Sequence, residues 1–168
     1  MSRHVCNRIE LRRVRETDIN EIYRIEKSVF RNPYPPYYLS LLAALTPHFL
    51  VAQCEGRVVA YAVAVVIEGR VCHVLSIAVE RGMQGMGIGK KLLQRLLLDC
   101  CSVGAKTAML EVEYTNYAAQ RLYLSLGFRY AATLPNYYGE GRHGLVMIAL
   151  EPCAARRGHG ERDTRQAL

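Results

Sequence analysis

At 168 residues, with 51% hydrophobic and 22% charged residues, the chain fits one ordinary soluble domain built on a single core. No apolar run reaches the ~18 residues of a membrane span, and the basic start "MSRHVCNRIELRR" lacks the apolar stretch of a secretory signal, so a cytoplasmic location and no membrane partner are expected. The net charge of +7 comes from 18 arginines and 4 lysines scattered along the chain without a basic helix or an aromatic-interleaved strand, which argues against nucleic acid as a partner.

In chain order, "NRIELRRVR" carries Ile9, Leu11 and Val14 among charges and predicts a first strand near residues 7 to 15. "TDINEIYRIEKSVF" repeats Ile19, Ile22, Tyr23, Ile25, Val29 and Phe30 at helical spacing behind a Thr/Asp cap, a helix over about 18 to 30. "RNPYPPYYLS" packs three prolines and three tyrosines into ten residues, a stiff loop before a short helix near 37 to 45. "FLVAQC" and "RVVAYAVAVVI" are β-branched runs joined by "EG", a hairpin, and "RVCHVLSIAV" is a further strand. "IGKKLLQRLLLDCCSVG" is a helix with Ile88, Leu92, Leu93, Leu96, Leu97 and Cys100 on one face, closed by Gly104. "TAMLEVEY" is a strand, "NYAAQRLYLSLGF" a helix over about 116 to 126, and "RYAATL" and "GLVMIAL" are two final strands. Early hairpins and a central βαβ crossover imply an α/β domain of three layers, with a mixed, mostly antiparallel sheet of about seven strands and about four flanking helices. Residues 1–150 form this single domain. The charged, aperiodic segment 151–168 is expected to be disordered.

The six cysteines contain no C-x-x-C pair and no histidine at zinc spacing, so no metal is expected and no thiol is given a catalytic role. Buried free thiols are the favoured reading. Disulfides of the kind some hyperthermophile proteins carry internally are the alternative, although Cys100 and Cys101 face different sides of a helix.

The segment "QGMGIGKKLL" places three glycines at alternate positions between a strand and a helix, where free amides meet the positive end of the helix dipole and suit phosphate oxygens. It is not a Walker loop, because Gln84 stands where a glycine is required and Lys91 where Ser or Thr is. Nor is it a dinucleotide fingerprint, because Lys90 occupies the third glycine position. "AVERGMQGMGIGKKLL" resembles motif A of the GNAT acetyltransferases, Q/R-x-x-G-x-G/A, with Gln84, Gly87 and Gly89 in the defining places. "NYAAQRLYLSLGF" resembles the family's later N-x-x-A-x-x-L-Y-x-x-x-G-F segment at Asn116, Ala119, Leu122, Tyr123, Gly127 and Phe128. The likeness runs from about residue 9 to 150.

The resemblance implies the GNAT acyl-CoA acyltransferase fold and acetyl-CoA as cosubstrate. It implies that Gln84, Gly85, Met86, Gly87, Ile88, Gly89 and Lys90 cradle the pyrophosphate, that Ile77, Ala78 and Val79 line the pantetheine, and that Asn116 and Tyr123 adjoin the cofactor. Tyr123 matches the tyrosine that protonates the departing thiolate, although by spacing alone it is a core aromatic. For the base, Glu111 matches the strand position where N-terminal acetyltransferases place a catalytic residue, with Glu113 on the same face. His73 matches a base acting through water, and a hydrogen-bonded sheet histidine is its equal alternative.

"PNYYGEGRHGLVMIAL" resembles the end of protein N-terminal acetyltransferases, the ribosomal-protein-alanine branch and its archaeal relatives included. That likeness implies that Tyr137, Tyr138 and Tyr34 cover the first residues of a protein or peptide N-terminus, ribosomal proteins among the acceptors. An α-amine is about 14% neutral at pH 7 against about 0.04% for a lysine, so such an acceptor asks less of its base. Two departures weaken transfer of detailed specificity: Asn32 stands near a loop glutamate of some archaeal relatives, and His143 stands where an acidic residue is usual. A GNAT enzyme for a small amine or a lysine side chain is the alternative, and a non-catalytic acyl-CoA or nucleic-acid binder comes third. A monomer or weak dimer is expected.

Overall fold

The computed structural model describes residues 6 and 8–154. Seven strands and four helices follow the expected order: β1 (Ile9–Arg13), α1 (Ile19–Val29), α2 (Pro36–Leu45), β2 (Phe49–Cys54), β3 (Arg57–Ile67), β4 (Val71–Val79), α3 (Ile88–Ser102), β5 (Thr107–Glu113), α4 (Tyr117–Ser125), β6 (Arg129–Leu134) and β7 (Gly144–Leu150). They build one mixed sheet in the order β1-β2-β3-β4-β5-β7-β6. Only β4 and β5 are parallel, because α3 carries the chain across the sheet between them.

Both faces of the sheet are covered, which is why β2 and β3 read as unbroken apolar runs and not as alternating ones. On one face Leu50, Ala52, Ala62 and Val74 pack with Leu92, Leu93 and Leu96 of α3 and Tyr123 of α4. On the other, Phe49, Val51, Tyr61 and Val63 pack with Ile22 and Ile25 of α1 and Leu39 of α2. The β2–β3 turn is made by Glu55 (φ +50°) and Gly56 (φ +81°), the two positive dihedrals that match the twist of a tight hairpin.

Two expectations are corrected. The cysteines are not free thiols: Cys6 pairs with Cys54, Cys72 with Cys100 and Cys101 with Cys153, across Cα separations of 5.8, 5.9 and 6.5 Å that a disulfide spans. Cys100 and Cys101 do face different sides of α3, and that is what lets each reach a different partner, one on β4 and one beyond β7. The tail expected to be disordered is also ordered at its start. Residues 151–154 are held by the Glu151 amide, which donates to the Lys106 carbonyl at 3.0 Å, by buried Pro152 and by the Cys153 link. Residues 155–168 lie outside the described residues.

Candidate active site

The site begins where two parallel strands part. β4 and β5 are paired only at Val71–Thr107, Cys72–Ala108 and His73–Met109, so a wedge opens from Val74 and Leu110 onward. Across the same stretch β4 carries a bulge. Consecutive Val63 and Ala64 of β3 face Ser76 and Val74, leaving Leu75 without a partner there. The extra residue turns the strand over: Cys72 and Val74 point into the α3 core, whereas Ala78 points into the α1–α2 core. Ile77 and Val79 are half-buried beside the α3 core, at the end of β4 that leads to the glycine loop.

In that loop Gly85 and Gly87 hold φ of +78° and +77°, a left-handed conformation that side chains resist. Gly85, which the sequence motif does not require, thus has a conformational reason to be glycine. Gly87 is the N-cap of α3, and the helix's first bond runs from the Lys91 amide to the Gly87 carbonyl at 3.1 Å. The amides from Gly85 to Lys90 have no acceptor among the described residues. That row of free donors at the positive end of α3 fits a diphosphate. The neighbouring side chains differ in what they do. Gln84 donates its Nε2 to the Val79 carbonyl at 2.9 Å, Ile88 is buried in the core, and Met86 and Lys90 are exposed. Gly89 packs: a Cβ there would lie 3.4 Å from Val79 and 3.6 Å from Leu122, against protein and not against the open loop. Asn116 caps α4, its Oδ1 accepting the Ala119 amide at 3.1 Å.

The two glutamates of β5, equivalent by alternation, differ in their surroundings. Glu113 is held by Arg142, whose Nε and Nη2 donate at 2.8 and 2.7 Å, and these bonds keep its carboxyl below the usual carboxylate range. Arg142 also donates to the Tyr138 carbonyl at 3.1 Å, so the Glu113–Arg142 pair fastens the β6–β7 loop. Glu111 faces His73 across the strand gap, Nε2 to Oε2 at 2.8 Å, and both remain partly exposed. Tyr123 is buried, which raises its hydroxyl's pKa and keeps it protonated. That hydroxyl has no protein partner among the described residues.

Three tyrosines lie within range of the charge of Glu111. Burial raises the pKa of Tyr34, Tyr137 and Tyr138 first, and the charge of Glu111 adds to all three. Tyr34 comes from the α1–α2 loop and lies 4.9 Å from the Tyr38 ring, whereas Tyr137 and Tyr138 meet edge to face at 5.0 Å in the β6–β7 loop. His143 accepts the Asn136 amide on Nδ1 at 3.1 Å within that loop, and Asn32 is exposed. The sequence reading missed Arg142, one arginine among 18, which no local pattern sets apart. It also missed Glu26, although an acid at the i+4 position from Ile22, on the apolar face of α1, is a signal in itself.

A parting pair of parallel strands, a free-amide loop beyond one and an acid–base pair at the fork are the features of an acyl-CoA-dependent N-acyltransferase. The sequence profile of the acetyltransferase (GNAT) family matches residues 18–128, and the chain belongs to that family and is an N-acetyltransferase. It is 34% identical to an N-alpha-acetyltransferase of Sulfolobus acidocaldarius over 146 residues, covering 79% of this chain and 87% of the relative. It is 32% identical to the [Ribosomal protein bS18]-alanine N-acetyltransferase of Escherichia coli K12, covering 80% and 91%. Among solved structures, Ard1 from Thermoplasma volcanium superposes with a TM-score of 0.81 at 28% identity, over 84% of this chain and 97% of that one. Among the described residues no group of three or more His, Cys, Asp or Glu is arranged to hold a metal ion, and no helix is long and apolar enough to cross a membrane.

Proposed function

We propose that the chain transfers the acetyl group of acetyl-CoA to the α-amino group of protein N-termini, by direct attack within a ternary complex. The observation that carries the reading is that Tyr34 from one loop and Tyr137 and Tyr138 from another all lie within range of the charge of Glu111. Such a cover suits an extended peptide, since tyrosines offer apolar area together with hydroxyls for backbone groups. The amides of Gly85 to Lys90 hold the pyrophosphate of acetyl-CoA, and β4 residues Ile77 to Val79 line its pantetheine arm. Glu111 and His73, hydrogen-bonded to each other, take the proton released by the amine. Tyr123, kept protonated by burial, supplies one to the departing sulfur. The names of the relatives support this acceptor class, with ribosomal proteins among the candidate acceptors.

The test presents purified protein and acetyl-CoA with short peptides varied at the first residue, with N-terminally blocked lysine peptides and with free polyamines, while the thiol of released CoA is followed. Turnover on free N-termini and none on blocked peptides is expected. Turnover confined to blocked peptides or polyamines overturns the reading.

A further inference from the structure

The α1–α2 loop, residues 30–35, has almost no backbone anchorage. Pro33, Pro35 and Pro36 have no amide hydrogen, and between Phe30 and Tyr38 the one amide with an acceptor among the described residues is that of Tyr34. Its acceptor is a side chain: Oε2 of Glu26, on α1, at 2.7 Å. The Phe30 amide, at the other end of the loop, donates to the main-chain carbonyl of the same residue at 2.8 Å. The second carboxyl oxygen of Glu26 takes the hydroxyl of Tyr61 on β3, which lies 2.7 Å from Ser76 Oγ on β4. Glu26 is 1% exposed, and none of the ion pairs among the described residues includes it. An acid buried without a cation costs stability, so its retention on the apolar face of α1 calls for a reason.

We infer that Glu26 is a positioning residue for the acceptor: it seats Tyr34 over the cleft by tying the covering loop to β3 and, through Tyr61 and Ser76, to the strand that receives acetyl-CoA. The inference rests on the reading of Tyr34 as part of the acceptor cover. The tie needs an acceptor for the Tyr34 amide and a partner for the Tyr61 hydroxyl, and not a charge. When Glu26 is ionised, Tyr61 donates to it and Ser76 donates to Tyr61. When it is protonated, Glu26 donates to Tyr61, which donates to Ser76, so the chain of bonds reverses without a break. The groups bonded to Glu26 are Tyr61 from β3 and the Tyr34 amide from the loop, with the ring of Tyr38 from α2 packed 4.9 Å from that of Tyr34. None is a cation.

Burial, opposed by the Tyr34 amide, raises the Glu26 carboxyl to about 7. In an open loop, where water reaches the carboxyl, it returns toward its ordinary value of 4.5. The closed loop therefore prefers the proton, its relative stability is complete below about 4.5, and it is lost as pH rises through about 7. Between pH 6 and pH 8.5 linkage weakens closure by up to about ten-fold.

The test compares steady-state kinetics of Glu26→Gln, Glu26→Ala and the unaltered chain with a free N-terminal peptide at pH 6 to 8.5. Gln accepts from Tyr34 and donates to Tyr61 at every pH. We expect it to keep the low-pH peptide KM throughout, so that the KM ratio of unaltered chain to Glu26→Gln climbs with pH while every pH effect common to both chains, the titration of the peptide amine included, cancels. Ala leaves the Tyr34 amide without an acceptor and should raise the peptide KM about ten-fold with the acetyl-CoA KM unchanged. The inference is overturned by a ratio that stays flat across the range, by a peptide KM for Glu26→Ala equal to that of the unaltered chain, or by equal changes in both KM values. Should Glu26→Ala fail to fold, the Glu26→Gln ratio decides alone. If the unaltered chain acetylates no peptide, the acceptor reading itself falls and this inference with it. A flat ratio with normal turnover removes Glu26 only.

Discussion

Tyr123 and the His73–Glu111 pair are the residues on which the proposed chemistry turns. Tyr123→Phe keeps the buried ring and removes only the hydroxyl, so turnover should fall by about a hundred-fold while acetyl-CoA affinity stays near that of the unaltered chain. Unchanged turnover would withdraw the acid assignment. Because His73 and Glu111 share one hydrogen bond, they should behave as a unit. Glu111→Gln and His73→Asn should each lower turnover, and the double variant should cost little more than the worse single one. Fully additive losses in that cycle would show two independent groups.

At the scale of elements, the cleft depends on how loops are fastened to strands. The β6–β7 loop has its own short bonds, including Gly139 N–H to the Asn136 carbonyl at 3.0 Å, but it is tied to β5 by Glu113 and Arg142. Arg142→Ala should raise the peptide KM several-fold and leave the acetyl-CoA KM alone, which dual-substrate kinetics would check. Gly144, at the start of β7, leaves room for the same loop, because a Cβ there would lie 3.1 Å from Cβ of Tyr137. On the cofactor side, Gly87→Ala forces a side chain into φ +77° at the cap of α3, at a cost of about 1–3 kcal/mol. Its acetyl-CoA KM should rise while its peptide KM does not, the reverse of the Arg142 variant.

For the whole molecule, three disulfides close sequence separations of 48, 28 and 52 residues, and on chain-entropy grounds each contributes about 4 kcal/mol. Reduction should lower Tm by more than about 10 °C, and unfolded, unreduced protein should take up no iodoacetamide. Such bridges persist in oxidising compartments or inside hyperthermophiles. Stability should also depend on pH from both sides. Asp18 and Glu80 are pushed up by burial but pulled lower by their arginine partners, and Arg142 lowers Glu113, so their contributions are present above the ordinary carboxylate values and lost as pH falls below about 4. Glu26 has the opposite sign, its contribution being lost as pH rises through about 7. Glu26→Gln should therefore gain in Tm over the unaltered chain at pH 8 and not at pH 5. The sequence by itself determined every strand and helix to within a few residues, since periodicity and Gly/Pro punctuation are local. Two motifs were enough for the family, because the glycine loop and the α4 segment are each contiguous. Only the tertiary structure decided what depends on distance between remote segments: which of Glu111 and Glu113 faces His73, what Arg142 fastens, which cysteines meet, and that Glu26 ties the α1–α2 loop to β3. Those contacts join residues up to 52 positions apart, and no local pattern encodes which partner a side chain finds across a folded sheet.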